Sequence, residues 1–170
     1  FKKFIFFKIN ISNKDKLNKV FNKYKPNKVI HMAAQAGVAY SKINPDRYIN
    51  SNIIGFYNIL INCKKFNVKR IIYASSSSVY GDSKTLPVKE NFELNPKNIY
   101  GLTKKINEEM AELYSKEMNL KLIGLRFFSI YGEFGRPDML IYKLLLCKNK
   151  KKIFYLNNKG NHFRDFTYIL

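Results

Sequence analysis

Hydrophobic residues form short continuous runs that alternate with longer segments in which they recur every three to five positions. The short runs predict buried strands, and the longer segments predict helices with one apolar side. The predicted strands cover residues 4–9, 28–32, 69–74, 121–128 and 153–156. The predicted helices cover residues 14–24, 44–63, 99–118 and 139–146. Ser12 or Asn13 is expected to cap the first helix.

This alternation of strands and helices is typical of an α/β fold, a doubly wound parallel sheet with helices on both faces. In such sheets, ligands bind beyond the carboxyl ends of the strands. Polar residues follow three of the predicted strands at that end: the segments 31–35 and 75–78, and Ser129. We therefore expect a ligand site at this edge of the sheet.

A dinucleotide-binding sheet normally starts with a strand, a glycine-rich turn and a helix, and the turn packs against the pyrophosphate. The chain has eight glycines, but no G-x-G-x-x-G or G-x-x-G-x-x-G follows its first predicted strand. We therefore expect a partial Rossmann-like sheet that lacks this first unit. The absence of an initial methionine also favours an interior fragment.

Tyr100 and Lys104 stand four residues apart at the start of the helix predicted over 99–118, and so on one face of it. Other pairs with this spacing are Tyr24 and Lys28, Tyr80 and Lys84, and Tyr155 and Lys159. Proline, glycine or asparagine places those pairs in turns, whereas Tyr100 opens a long amphipathic pattern. A phenol, an amine one turn later and a nearby serine hydroxyl together can deprotonate a sugar hydroxyl beside a nicotinamide.

The net charge of +19 raises the question of nucleic-acid binding. Only five of the 31 basic residues are arginines, and the lysines are scattered, with their densest cluster at 148–152. Proteins that read bases and phosphates favour arginine, whose fork engages two acceptors at once. We expect a solvated basic surface and no nucleic-acid partner.

The two cysteines, Cys63 and Cys147, lie in separate predicted helices. Neither they nor the two histidines, His31 and His162, show the spacing of a metal site. Buried, reduced thiols are typical of the cytosol, and no apolar run is long enough to span a membrane. We therefore expect a cytoplasmic protein without a metal or a membrane partner.

Five motifs resemble, in order, those of the extended short-chain dehydrogenases/reductases, within the NAD-dependent nucleotide-sugar epimerase/dehydratase family. They are His31-Met32-Ala33-Ala34, Asn52-x-x-Gly55-x-x-Asn58, the segment Ser75 to Gly81, Tyr100-x-x-x-Lys104, and the segment Arg164 to Tyr168. The segments 33–38, 75–81 and 126–139 are most similar to UDP-glucuronate 4-epimerases. Such enzymes are about twice this length. The resemblance thus implies a partial NAD-binding domain over 1–170. Residues from about 132 to 170 would form the first part of the substrate-binding lobe.

The resemblance implies NAD as the cofactor, a UDP-sugar as the substrate and a homodimer. It makes Tyr100 the catalytic base, with Lys104 and Ser76 as its catalytic partners. Phenols ionise with a pKa of ~10 in isolation, and a neighbouring ammonium favours the phenolate. The implied reaction is epimerisation at C4 of the sugar through a transient 4-keto intermediate.

Further site residues are carried over from the family by position. The implied cofactor-binding residues are Asn10, Ile11, Met32, Ala33, Ala34, Ala36, Asn52, Tyr100, Lys104 and Phe128. The implied substrate-binding residues are Ser76, Ser77, Ser78, Ser129, Arg136 and Arg164. Asn10 departs from the aspartate that usually holds the adenine amino group, although its amide oxygen can still accept that bond. His31 is expected to be structural, and Asn52 is expected to brace the cofactor loop.

The serine segment also bears on the choice of substrate. Dehydratases and decarboxylases of the family place a carboxylate there, whereas Ser76, Ser77 and Ser78 offer only hydroxyl groups. Hydroxyls can hydrogen-bond a sugar carboxylate without charge repulsion, which favours epimerisation of UDP-glucuronate to UDP-galacturonate. Two alternatives stay open: a UDP-glucose 4-epimerase, and a truncated, non-catalytic nucleotide-binding remnant.

Overall fold

The structure is a computed structural model that describes residues 4–83, 85–161 and 165–170. It divides into two compact units, the first ending at Arg126 and the second starting at Phe127. The first unit contains a three-stranded parallel sheet in the order β1-β2-β3. These strands are β1 (Lys28–His31), β2 (Arg70–Ala74) and β3 (Lys121–Leu125). The α/β class and three of the predicted strands are confirmed, although β3 ends before residue 128.

Helices lie before and between these strands along the chain, mostly where the sequence pattern predicts them, although the one over 38–43 was not predicted. They are α1 (Lys14–Tyr24), α2 (Val38–Ile43), α3 (Pro45–Tyr48), α4 (Gly55–Lys65) and α5 (Ile99–Met118). Asn13 caps α1, because its side-chain oxygen accepts a hydrogen bond of 2.9 Å from the backbone of Lys16. Asn98 caps α5 in the same way through the backbone of Gly101, at 2.8 Å. The bounds of α1 and the start of α5 therefore follow from local side-chain chemistry.

The region 44–63 differs from the single helix that its pattern predicts. A π-helical segment, Ile49–Ile54, separates α3 from α4. A π-helical turn holds more residues than an α-helical turn and often occurs at functional sites. The family motif residue Asn52 lies inside this segment and is fully buried.

The core of the first unit lies between the sheet and helices α1, α4 and α5. It contains Leu17, Phe21, Phe56, Ile59, Leu60, Cys63, Val68, Ile71, Tyr73, Ala111 and Leu120. At its centre the Phe56 ring lies 5.1 Å from the Tyr73 ring. Burial of each large aliphatic side chain or phenylalanine in this core contributes about 1.5–3 kcal/mol to folding. Burial also raises the pKa of the Cys63 thiol to about 12, whereas Cys147 is only half-buried, contrary to expectation.

Two predicted strands are wrong. Residues 4–9 and 153–156 form no strand, and Phe4, Phe6, Ile153 and Tyr155 are all exposed. A strand needs a neighbour with which to pair its backbone groups. Among the described residues, β1 is an edge strand whose Ile30 is 69% exposed, and no segment pairs with its open side. Apolar composition alone therefore misidentified these segments.

The second unit contains strands β4 (Ser129–Tyr131) and β5 (Phe166–Tyr168), which pair in parallel. It also contains helix α6 (Leu140–Asn149), close to the predicted bounds of 139–146. The division at Arg126 lies near residue 132, where the family resemblance begins the substrate lobe. That assignment stays a prediction. No helix in the described part of the chain combines the length and the hydrophobicity needed to cross a bilayer.

His31 closes β1 and is structural in this fold. Its ring stacks on Phe56 at 5.3 Å, and only 5% of the residue is exposed. Burial, assisted by the nearby charge of Lys104, lowers the pKa of His31 to about 4. The imidazole is therefore neutral at physiological pH.

We expect His31 to make folding sensitive to acid. The pKa of His31 is lowered in the folded chain. Its contribution to the unfolding free energy is therefore complete above pH 6.5 and is lost as the pH falls through about 4. His31→Phe keeps the stacked ring but cannot bind a proton. Between pH 7 and pH 4, the native chain should lose about 1–3 kcal/mol more unfolding free energy than this variant, measured by urea titration. Equal losses would contradict the prediction.

Candidate active site

The candidate site lies at the carboxyl ends of β1 and β2, as the strand pattern predicts. Three segments of the first unit contribute to it: the loop 32–37 after β1, the serine segment 75–78 after β2, and the first turns of α5. Each segment is held to another by side-chain hydrogen bonds, described below.

Lys104 is the most constrained member of this group. The residue is 2% exposed, and its Nζ donates a hydrogen bond of 2.7 Å to the carbonyl oxygen of Ala74, the last residue of β2. The same Nζ lies 6.0 Å from the centre of the Tyr100 ring. Burial lowers the pKa of Lys104 to about 8. The structure thus brings the predicted base and its amine partner together.

Gly101 allows α5 to approach the serine segment closely. A Cβ atom at this position would lie 2.5 Å from the backbone oxygen of Ser78, a distance that no side chain tolerates. The neighbouring Thr103 is fully buried, and its hydroxyl donates to the Tyr100 backbone oxygen at 2.8 Å. The first turn of α5 is therefore fixed on the side that carries Tyr100.

The four serines have different environments. Ser76 is 8% exposed, and its Oγ accepts a hydrogen bond of 3.2 Å from the backbone of Ser78. This bond caps a short 3₁₀ turn, Ser77–Val79, and leaves the Ser76 hydroxyl hydrogen free to donate. Ser77 and Ser78 are half-buried, whereas Ser75 is buried and donates its hydroxyl to Glu108.

Asn52 joins the loop after β1 to α5. Its side-chain oxygen accepts from the backbone of Gln35 at 2.8 Å, and its amide donates to the Gln35 oxygen at 3.1 Å. The amide also donates to the Thr103 hydroxyl at 3.0 Å. The expected bracing of this loop by Asn52 is therefore present. Within the loop, Met32 and Ala33 are exposed, and Ala34 and Ala36 are half-buried.

Tyr48 also supports this loop, and sequence reasoning missed it. It is fully buried, its ring lies 6.2 Å from the Tyr100 ring, and its hydroxyl donates to the backbone oxygens of Ala36 and Gly37. No motif or apolar periodicity marks Tyr48. The helix start at Asn44-Pro45, three residues before Tyr48, gives no indication of this role.

The predicted adenine-binding residues lie on a separate loop before α1. The Asn10 side-chain oxygen accepts a hydrogen bond of 3.0 Å from the backbone of Ser12. Asn58 donates to the backbone oxygens of Ile11 and Ser12 at 3.0 and 3.1 Å. This loop is thus held against α4, while a bond from Asn10 to adenine stays a prediction.

The remaining predicted residues belong to the second unit. Phe128 is 37% exposed, and Ser129 starts β4, where its backbone donates to Asp165 at 3.3 Å. Arg136 forms an ion pair with Asp138 two residues later. Arg164 lies outside the described residues. The substrate and cofactor roles of these residues stay predictions.

A surface pocket of about 270 Å³ occurs away from this group. It is lined by Cys63, Val68 and Leu120 among others, so it lies where β2 and β3 begin. No predicted site residue lines it. Among the described residues, no cluster of three or more histidine, cysteine or acidic side chains could hold a metal ion.

Comparison with known proteins gives a family match along almost the whole chain. The sequence model of the NAD dependent epimerase/dehydratase family matches residues 2–170. Protein CapI of Staphylococcus aureus is 48% identical over 168 residues, which cover 98% of this chain and 50% of that protein. UDP-glucuronate 4-epimerase 4 of Arabidopsis thaliana is 44% identical over 94% of this chain and 38% of that protein. The chain thus spans about half the length of such curated relatives, or less.

Solved structures agree with this match. UDP-glucuronic acid 4-epimerase from Bacillus cereus, in complex with UDP-glucuronic acid and NAD, superposes with a TM-score of 0.88 and 33% identity. That match covers 96% of this chain and 51% of the other. UDP-glucose 4-epimerase from Thermotoga maritima, with UDP-glucose, gives a TM-score of 0.94 at 28% identity, over 99% of this chain and 56% of that one.

We expect the buried amine of Lys104 to cost folding stability. Its pKa is about 8 in the folded chain and 10.5 when free, so stability rises as the pH rises between these values. Lys104→Met keeps the aliphatic stem without the charge. At pH 7 it should raise the unfolding free energy by about 1–3 kcal/mol, and this gain should shrink by pH 9.5.

The matched control is Lys116→Met on the exposed side of the same helix, where the ion pair with Glu112 is solvated. It should change stability by less than about 0.5 kcal/mol. A lower stability of Lys104→Met at pH 7 would make Lys104 a structural residue.

Proposed function

The chain belongs to the NAD dependent epimerase/dehydratase family, and from this premise we propose that it forms the catalytic part of a UDP-glucuronate 4-epimerase. The observation that carries the proposal is the pairing of Tyr100 with Lys104, whose amine is buried and fixed to the end of β2. Burying a cation costs free energy, and perturbed pKa values of this kind cluster at functional sites. A purely structural lysine on α5 would gain more from a solvated position.

The residues at this edge fit the nicotinamide end of NAD. The loop 32–37 has no charged side chain, is partly exposed and is braced by Asn52, so its backbone can approach a planar cofactor. When bound, NAD would accept a hydride from C4 of the sugar and later return it. The NAD and UDP-glucuronic acid in the B. cereus structure support this assignment by similarity.

Proton handling falls to three side chains. Tyr100 would take the proton of the C4 hydroxyl and later return it to the sugar oxygen. Lys104 is mainly protonated at neutral pH because its pKa is about 8, so it would place a positive charge beside the ring of Tyr100. The free hydroxyl hydrogen of Ser76 would donate to the reacting oxygen and hold it toward the base.

The choice of a uronic acid depends on the serine segment. Ser77 and Ser78 are half-buried, and no carboxylate occurs among residues 75–78. A sugar carboxylate accepts charge-assisted hydrogen bonds there, which are about twice as strong as those of a neutral hydroxymethyl group. The 44% identity to the A. thaliana UDP-glucuronate 4-epimerase supports this choice. The T. maritima UDP-glucose enzyme supplies the main alternative.

Cytosolic location is part of the proposal. Both cysteines are free; Cys63 lies inside the core of the first unit, and Cys147 is half-buried in the second unit. Nucleotide sugars are charged metabolites, and reduced thiols are typical of the cytosol.

Tyr100→Phe should abolish epimerisation with little effect on folding. The substitution removes only the hydroxyl of a half-buried residue, so about 10²–10⁴-fold in kcat should be lost if the phenol is the base. Activity is measured on the protein at its natural full length, with UDP-glucuronate and NAD. Tyr57→Phe, an exposed tyrosine on α4, is the matched control and should retain full activity. Native turnover by Tyr100→Phe would exclude Tyr100 as the base.

We also expect UDP-glucuronate to be preferred over UDP-glucose. Two additional charge-assisted bonds correspond to about thirtyfold or more in kcat/KM. The measurement compares kcat/KM for both sugars in the native protein and in Ser129→Ala, which removes one predicted donor to the carboxylate. Equal values for the two sugars, unchanged by the substitution, would assign the protein to the UDP-glucose 4-epimerases.

A further inference from the structure

Two successive turns of α5 hold two successive residues at the end of β2. Lys104 donates to the backbone oxygen of Ala74, and Glu108, one turn later, accepts the hydroxyl of Ser75. Residues 100, 104 and 108 are spaced four apart and therefore lie on one face of the helix. The residue that follows this anchored pair is Ser76, the proposed partner of the reacting hydroxyl.

Glu108 is itself held by an arginine. Arg126 donates through Nε and Nη2 to the two carboxylate oxygens, at 3.0 and 2.8 Å, in a bidentate pair. The side chains of Arg126 and Glu108 are 21% and 14% exposed, so water competes weakly for these bonds. Planar two-point contacts of this kind fix orientation as well as distance.

The same arginine also reaches the far end of the serine segment. Its Nη1 donates to the Tyr80 hydroxyl at 2.7 Å and to the Glu90 backbone oxygen at 2.7 Å. At the near end, the backbone of Ser75 donates to Leu125, the residue before Arg126, at 2.8 Å. The segment 75–80 is thus fixed at both ends by the ion pair and by the strand that carries it.

We propose that Glu108 and Arg126 are positioning residues for catalysis, which set the hydroxyl of Ser76 against the phenol of Tyr100. The proposal rests on the proposed function, because it assigns the pair a task within that reaction. An ion pair serving stability alone would need only one attachment to the sheet. Here the pair holds both ends of the segment that contributes the Ser76 hydroxyl to the proposed site.

The test is kinetic and uses the protein at its natural full length. Glu108→Gln keeps the shape of the side chain but removes its charge. The substitution therefore weakens both the bidentate contact with Arg126 and the hydrogen bond from the Ser75 hydroxyl. We expect kcat for UDP-glucuronate to fall by about 10- to 100-fold with KM changed less than about threefold, because misplacement affects the reacting atoms more than binding. Ser75→Ala, which removes one hydroxyl, should lower kcat in the same way and guards against a folding failure of the first variant.

A double variant separates positioning from stability. If the ion pair acts through Ser76, then Glu108→Gln should lower kcat by less than about twofold in a Ser76→Ala background. The matched control is Glu112→Gln in the exposed pair with Lys116 on the same helix, which should leave kcat unchanged. Thermal unfolding of every variant shows how much stability each one loses.

The possible outcomes are distinct. Lower stability with native kcat in Glu108→Gln and Ser75→Ala would overturn the positioning role and leave the proposed function intact. Equal losses of kcat with and without Ser76 would also overturn it. Absence of any UDP-sugar epimerisation by the native protein would overturn the proposed function, and the positioning role with it.

Discussion

The arrangement of the site depends on one buried charge, the amine of Lys104. Its hydrogen bond to Ala74 joins α5 to the end of β2, and the position of that bond sets where Tyr100 lies above the sheet. Holding a helix in place through a buried ammonium with one backbone acceptor costs free energy, because the ammonium loses most of its hydration. The lowered pKa of Lys104 has the same cause, because burial disfavours the charged amine. A cost of this kind is consistent with the proton-handling role that we propose for Lys104.

Several polar residues around this charge have specific hydrogen-bond partners within the first unit. Asn52 bonds the loop after β1, Thr103 bonds the backbone of Tyr100, and Glu108 bonds Ser75. Because each group has a specific partner, the segments cannot slide past one another without leaving a buried donor or acceptor unpaired. Rigid positioning of this kind is what a proton transfer between fixed side chains requires.

Local signals predicted much of this arrangement. The cap at Asn13 and the four-residue spacing of Tyr100 and Lys104 are short-range features, and the structure has both where the sequence places them. Long-range features were harder to predict. The apolar run 4–9 was misread as a strand because pairing depends on a neighbour that the run itself does not encode. Tyr48 and Glu108 were missed because their partners lie 11 to 33 residues away along the chain.

The family motif around Asn52 shows how a sequence signature can act through packing. Gly55 lies one turn later and packs against Ile11. A Cβ atom at position 55 would lie only 2.6 Å from the terminal carbon of the Ile11 side chain, so that side chain would have to move. Asn58, a further turn along, bonds the backbone of Ile11 and Ser12. Spacings of three thus let one helical segment hold both loops to which the resemblance assigns NAD. The motif is therefore best understood as a scaffold for those two loops, because its asparagines are buried and already paired.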